Sequence, residues 1–432
     1  MSAILPICYT LLCAYCIVRL PFFRSMGLSK WMLLGVFALK IIAALALHAI
    51  YTYYYPVRTD ADVFKYFDDA QALFAVVPEN PSHFFQIFFG SNPENLPHLQ
   101  PYFENTWHWI RPMEMDLPND NQTIIRINML MMFLSWGNIF VHHILSAFIS
   151  LIAFCLLYKV FISYFPQQKI IVCIGIFLIP SSLFWASAML KECVVMVGLG
   201  LFLYGLHRVL QRAHWRSLFT ILCGLFILLC IKVYILAALV PASIAFVCCT
   251  RFPHIRVWKI YTSTLIVSII LLVANQLLHG LPLFEALANK RAAFITQAID
   301  VKAQSYIAIG NLDNSLRAFL IDTPVALWRA YILPYVWNIR SIMDILPALE
   351  SCALTVMIVL ACVFPSKTSN TQKNLIAFSF TFSFVLLWFV GITTPTIGGI
   401  VRYRMPLLPF LATSLALCID YSKIVQRFKI LK

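Results

Sequence analysis

The chain has 432 residues, of which 61% are apolar and 12% charged, with a mean hydropathy of +0.83. An ordinary soluble domain carries about twice that charged fraction, so the composition excludes one and specifies a polytopic, all-α membrane protein. The net charge of +14 would point to nucleic acid in a soluble protein, but the basic residues fall in short clusters between apolar runs, the pattern of cytoplasmic loops. No nucleic-acid partner is implied.

Most of the chain is spent on spanning helices of roughly 20 residues each, which leaves little room for a separate soluble domain and predicts a single domain over 1–432. The N-terminal run from Ala3 to Val18 has no positive residue before it and Arg19, Arg24 and Lys30 after it, the reverse of a signal peptide's flanks. It reads as a retained first span. Cys13 and Cys16 within it have the spacing of a redox or metal pair but no second pair, and read as small membrane-buried side chains. All thirteen cysteines lie inside or at the ends of apolar segments, which argues against a disulfide framework.

Apolar stretches predict about eleven spans, near 3–19, 32–54, 139–158, 170–187, 193–207, 217–231, 233–250, 258–278, 345–364, 374–392 and 405–420. Alternating the connections between two sides puts the short basic loops together and both long loops, 55–138 and 279–344, on the other side with nearly all the acids. That asymmetry predicts an N-terminus outside, a cytoplasmic C-terminus and extracytoplasmic long loops. In the first long loop Asp62 to Val77 can form an amphipathic helix, and Pro78, Pro81, Pro93, Pro97 and Pro101 then break the chain repeatedly. Its aromatic set, from Phe84 to Trp109, and the stretch Ile124 to Phe133 suit a membrane surface. The second long loop opens with a helical pattern over Leu283 to Val301 and ends in the tryptophan-rich, basic stretch Trp328 to Arg340. We expect interfacial helices in both loops.

Ten of the eighteen acidic residues fall between Asp60 and Asp120, and Asp60-Ala-Asp62 opens this run directly after the aromatic edge Tyr51 to Tyr55. A carboxylate there has the chemistry to take a proton from an acceptor hydroxyl, an effect of about 10²- to 10⁴-fold, or to hold a divalent cation through oxygen ligands. The plainer alternative is a helix N-cap. Asp68 and Asp69 read as solvated helix residues. Lys191 and Glu192 interrupt a long apolar stretch where the chain turns at the outer surface, as a polar lining or as an ion pair ending two helices. Lys232 sits between two closely spaced apolar segments, either snorkelling or contacting phosphate. Lys40, near the middle of the second span, is expected to snorkel inward.

Arg402-Tyr403-Arg404 places two arginines on the outer face, against the charge rule. Guanidinium forks bind phosphate oxygens in pairs, so a phosphate headgroup is one reason for them and anionic lipid another. Arg329 and Arg340, set among tryptophans and tyrosines, invite the same reading. His142 and His143 point roughly 100° apart on a helix, which is no chelating spacing, so at most one, taken as His142, faces a cavity. No resident metal or other cofactor is assigned.

Three segments resemble the polytopic GT-C glycosyltransferases. Asp60-Ala-Asp62, with Tyr66 and Ala70 following at helical spacing, resembles the acidic start of their first outer loop. Pro180-Ser-Ser-Leu-Phe-Trp185 through Leu190-Lys191-Glu192 is similar to a segment of bacterial relatives. Arg402-Tyr-Arg-Met-Pro-Leu-Leu-Pro-Phe410 resembles the stretch before a late span in the dolichyl-phosphate-mannose mannosyltransferase branch. The resemblance implies transfer of a sugar from a polyprenyl-phosphate donor to the hydroxyl of a glycan, lipid or protein acceptor at the outer face of a bacterial inner membrane. It also implies Asp60 or Asp62 as base, and Arg402, Arg404 and Lys191 on the lipid phosphate. A polysaccharide polymerase or ligase using lipid-linked glycans is the nearest alternative. A lipid or solute transporter is a third, against which stand 14 glycines, no evident repeat, and Lys40 as the one clear mid-span charge.

Overall fold

The computed structural model describes residues 4–53, 57–58, 61–110, 119–278 and 282–430. Among them the chain is helical throughout and contains no strand beyond isolated bridges. In chain order the helices of six or more residues are α1 (Ile4–Arg19), α2 (Lys30–Tyr53), α3 (Asp62–Phe74), α4 (Pro81–Phe89), α5 (Asp120–Ser135) and α6 (Ile139–Tyr164). There follow α7 (Lys169–Phe177), α8 (Pro180–Trp185), α9 (Lys191–Gln211), α10 (Trp215–Ile231), α11 (Val233–Arg251), α12 (Val257–Leu277) and α13 (Leu283–Asp300). The last six are α14 (Leu316–Ile332), α15 (Ile342–Val363), α16 (Asn370–Thr393), α17 (Ile397–Arg404), α18 (Leu408–Leu417) and α19 (Tyr421–Ile430). Seven of these, α2, α6, α9, α11, α12, α15 and α16, are long and apolar enough to cross a membrane, as expected of an integral membrane protein.

The remaining apolar stretches fold differently, for local reasons. The stretch 170–187 is two helices, α7 and α8, with Pro180 opening the second. Proline has no N–H to continue a helix and clashes with the carbonyl four residues back. The stretch 405–420 begins earlier than its hydropathy, at α17, whose first turn is capped by Thr396 accepting the Gly399 N–H at 3.2 Å. A single 3₁₀ turn, Met405–Leu407, then joins α17 to α18 around Pro406 and Pro409. α1 and α10 are 16 and 17 residues long.

The contacts divide the chain into two compact units: Met1–Lys159, Leu183–Val209 and Ala213–Val233 in the first, and Val160–Ser182, Leu210–Arg212 and Tyr234–Lys432 in the second. In the first, α3 packs along α5, and α10 also meets α5. α3 is amphipathic for the expected reason: Val63, Tyr66, Phe67, Ala70 and Leu73 recur at three- and four-residue spacing and are all buried. Trp136 and Gly137, both with positive φ, reverse the chain between α5 and α6. α9 lies close to α6, since a Cβ on Gly200 would come within 2.7 Å of the Ala153 carbonyl oxygen, a small-residue approach typical of membrane helices.

In the second unit α14 packs along α16, which also meets α12, α13 and α18. The α14–α16 approach is tighter still, because a Cβ on Gly391 would collide with the Ala326 carbonyl. Phe284 stacks on Phe319 with centroids 4.4 Å apart, beside Ala326 and Ile392 in one buried cluster. Trp388 donates its indole N–H to Thr323 at 2.9 Å.

Candidate functional site

In the first unit the opening turns of α5 and α9 bring together the acids of the first loop and the lysines expected of a site. Asp120, in the first turn of α5, pairs with the Lys191 ammonium at 2.7 Å, and Lys191 also donates to Asn121 Oδ1 at 2.7 Å. The Lys191 Nζ stands 5.4 Å from the centroid of the Tyr66 ring on α3. Tyr66 lies one helical turn after Asp62, so the two share a face of α3. Asp62 itself is partly exposed and has Lys65 at 3.6 Å. Its partner in the motif, Asp60, lies outside the described residues.

A second ion pair adjoins on α9. Glu192 is 1% exposed and accepts from Lys232 Nζ at 3.0 Å, with Lys232 at the boundary of α10 and α11. Lys191 and Glu192 open α9 rather than bridging a loop, and each has an ion-pair partner on another helix or helix boundary. Each is matched by a residue far along the chain. Ions this deep among apolar helices are costly unless paired, which accounts for the match of each lysine with a carboxylate. Thr123 fastens α5 to the end of α10 by donating to the Cys230 carbonyl at 3.1 Å.

The loop that carries the acids is an ordered polar framework. Asp69 is 1% exposed, not solvated, and its two oxygens accept the backbone N–H groups of Trp107 and His108 at 2.9 and 2.8 Å. Burial pushes its carboxyl above the ordinary carboxylate range, against the pull of those two hydrogen bonds. Asp68 forms a two-pronged bond with Arg58, both distances 2.7 Å. Glu94 accepts the Trp109 indole N–H at 2.8 Å, and the Arg126 guanidinium lies 4.9 Å from the Trp109 ring. Trp109 is thus a buried anchor, whereas Phe85, Phe89 and Trp107 are exposed, as surface aromatics should be.

His142 and His143 are both buried. His142 has Ser135 Oγ and Asn128 Oδ1 at 2.8 Å from its two ring nitrogens, and His143 Nε2 lies 3.0 Å from His48 Nδ1. With both nitrogens engaged, His142 fixes α5 against α6. Lys40 does not snorkel. It is fully buried, donates to Ser150 Oγ at 2.8 Å and sits 4.0 Å from the Phe154 ring centroid.

In the second unit Arg404 is 1% exposed, and one guanidinium nitrogen donates to the carbonyls of Tyr331 and Leu333 at 2.9 and 2.7 Å. Its other terminal nitrogen reaches Ser351 Oγ at 2.9 Å. These carbonyls lie at and just beyond the C-terminal end of α14, where a cation also meets the negative end of the helix dipole. Arg329 and Arg291 do the same for α16: both bond Asp322, at 3.4 and 2.6 Å, and they reach the Gly391 and Ile392 carbonyls. Arg402 is half-buried, and Tyr403 stacks on Phe294 with centroids 5.9 Å apart. Glu350 accepts the Ser181 N–H at 2.9 Å at the start of α8.

Among the described residues no three His, Cys, Asp or Glu side chains are grouped to hold a metal ion. Sequence reasoning missed Asp120, Asn121, Asp322 and Glu350. Asp120 was legible as an acid next to a helix cap, but its partner lies 71 positions away, and only tertiary packing supplies that pairing. Comparison with protein-family models, curated proteins and solved structures finds no match to this chain.

Proposed function

We propose that this protein is a membrane glycosyltransferase that moves a sugar from a polyprenyl-phosphate-linked donor to an acceptor hydroxyl at the extracytoplasmic face. The reading takes about eleven spans: the seven long helices, α1, α10, and the two bent pairs α7–α8 and α17–α18. It places the N-terminus and the segments 55–138 and 279–344 outside and the C-terminus in the cytoplasm, in a bacterial inner membrane.

The observation that carries it is local to the first unit. Asp62 and Tyr66 occupy one face of α3, and the Tyr66 ring lies beneath the ammonium of Lys191. Two of the three GT-C-like segments therefore meet through a named contact. In the proposed reaction Asp62 or Asp60 accepts the proton of the acceptor hydroxyl. The acceptor oxygen forms a bond to the anomeric carbon as the bond from that carbon to the phosphate oxygen breaks, and polyprenyl phosphate leaves with the electron pair. Direct displacement inverts the anomeric centre. Lys191 and Lys232 are assigned to the negative charge that builds on the leaving phosphate, where preorganised cations act most strongly. Asp120 and Glu192 hold them charged and in place until then. Arg402 is assigned a phosphate contact. Arg404 and Arg329 are assigned positioning roles, since their guanidinium groups are engaged with helix carbonyls, and so is His142.

The test is turnover by purified protein in lipid nanodiscs, supplied with a radiolabelled polyprenyl-phosphate sugar and cell-envelope acceptors. Release of polyprenyl phosphate with label in the acceptor supports the reading. Transmembrane movement of the intact donor without release would replace it with transport.

A further inference from the structure

The N-terminal ends of α12 and α16, both span-length helices, flank an open groove of about 720 Å³, a volume typical of ligand sites. Its walls are apolar, from Val257, Ala377 and Phe380, and its rim carries His254, Arg256 and Lys373. No carboxylate lines it. Asp420, two residues after the lining Cys418, is bonded to Ser422 and Lys423. Among the described residues neither Arg256 nor Lys373 makes a salt bridge, and both are exposed. The base is fixed: Tyr261, one turn into α12, donates to the carbonyl and Oδ1 of Asn374 on α16 at 3.0 and 2.8 Å, and Asn374 donates to the Phe246 carbonyl on α11 at 3.1 Å. The opening is therefore preformed.

We propose that this groove binds one acidic phospholipid of the surrounding bilayer, its phosphate between Arg256 and Lys373 and an acyl chain along the apolar wall. Three features favour a lipid over a soluble phosphate compound. The site lies at the ends of two spans, where headgroups lie. Only 11% of the apolar window of α12 is buried, so this helix is free to face lipid. Trp258, exposed beside the rim with Lys259 over its ring at 5.9 Å, is the kind of residue that settles at headgroup level. Basic pockets between membrane helices recognise anionic headgroups, at about 1 kcal/mol for each Lys or Arg near the surface, or roughly fivefold per cation.

The experiment is native mass spectrometry of the full chain released from nanodiscs that contain equal phosphatidylglycerol and phosphatidylcholine. One retained phosphatidylglycerol is expected. R256A/K373A should weaken its retention by about 25-fold, and K169A, an exposed basic residue elsewhere, should leave it unchanged. Ala377→Trp, which fills the groove and keeps both cations, should also expel the lipid. Equal retention of both lipids, an unaffected double variant, full retention in Ala377→Trp, or displacement by millimolar inorganic phosphate would each overturn the proposal.

Discussion

The Lys40 amine is fully buried in a span, bonded to the Ser150 hydroxyl and set over the Phe154 ring. A hydrogen bond from a charged donor contributes about 1.5–3 kcal/mol, and a desolvated cation over an aromatic face adds about 2 kcal/mol. If the buried amine carries its proton, Ser150→Ala in the native background strands an ammonium and should destabilise by about 1.5–3 kcal/mol. Lys40→Met keeps most of the stem and removes the charge. Buried ions replaced by well-packed apolar groups leave stability unchanged or raise it by about 1–4 kcal/mol. In the Lys40→Met background Ser150→Ala should then cost almost nothing, because the hydroxyl no longer has an ion to hold. The assay is equilibrium unfolding in mixed micelles, followed by tryptophan fluorescence, over the four members of the double-mutant cycle. Equal cost of Ser150→Ala in both backgrounds would refute the reasoning and relocate the ammonium's stabilisation elsewhere.

Three further outcomes follow from the packing. Gly391→Ala should destabilise by about 1–3 kcal/mol, measured in the same unfolding assay, because the new methyl meets the Ala326 carbonyl rather than open space. Arg404→Lys keeps the charge but loses the fork that serves two carbonyls and a hydroxyl, so hydrogen exchange at the end of α14 should accelerate about tenfold or more, the equivalent of about 1.4 kcal/mol. Asp69 has a folded-state affinity for protons above that of the unfolded chain. The folded state therefore holds a proton that the unfolded state has lost in the window above the ordinary value of 3.8, and stability falls as pH rises through that window. Asp69→Asn should remove this negative contribution to the slope, and an unchanged pH profile of unfolding would contradict it.

The long spans were legible because their apolar runs are about as long as a bilayer core is thick, even where Pro241 and Pro347 lie inside the helix: the sequence places the second at 32–54 and the structure at Lys30–Tyr53. The amphipathic period of α3 was equally plain. Pro180 and Pro406 were visible as residues, yet hydropathy averaged over them and concealed where each helix bends. The site was legible in part. Lys191, Glu192 and Lys232 were singled out as misplaced charges, but the identity of their partners was not, because ion pairing between α5 and α9 is a property of packing and carries no local pattern. Asp69 failed as a solvated residue for the same reason. Its helical position is ordinary, and only the return of the chain at Trp107 and His108 covers it. Arg404 belongs to a motif that suggests phosphate, while its donors go to backbone carbonyls that no sequence pattern announces.

The most direct test of the glycosyl-transfer account is the initial rate of polyprenyl-phosphate release by the native chain, Asp62→Asn, Asp60→Asn and the double variant. If a carboxylate of this pair is the base, one single variant and the double should lose about 10²- to 10⁴-fold in turnover with donor binding retained. Undiminished release from all three variants would contradict the account.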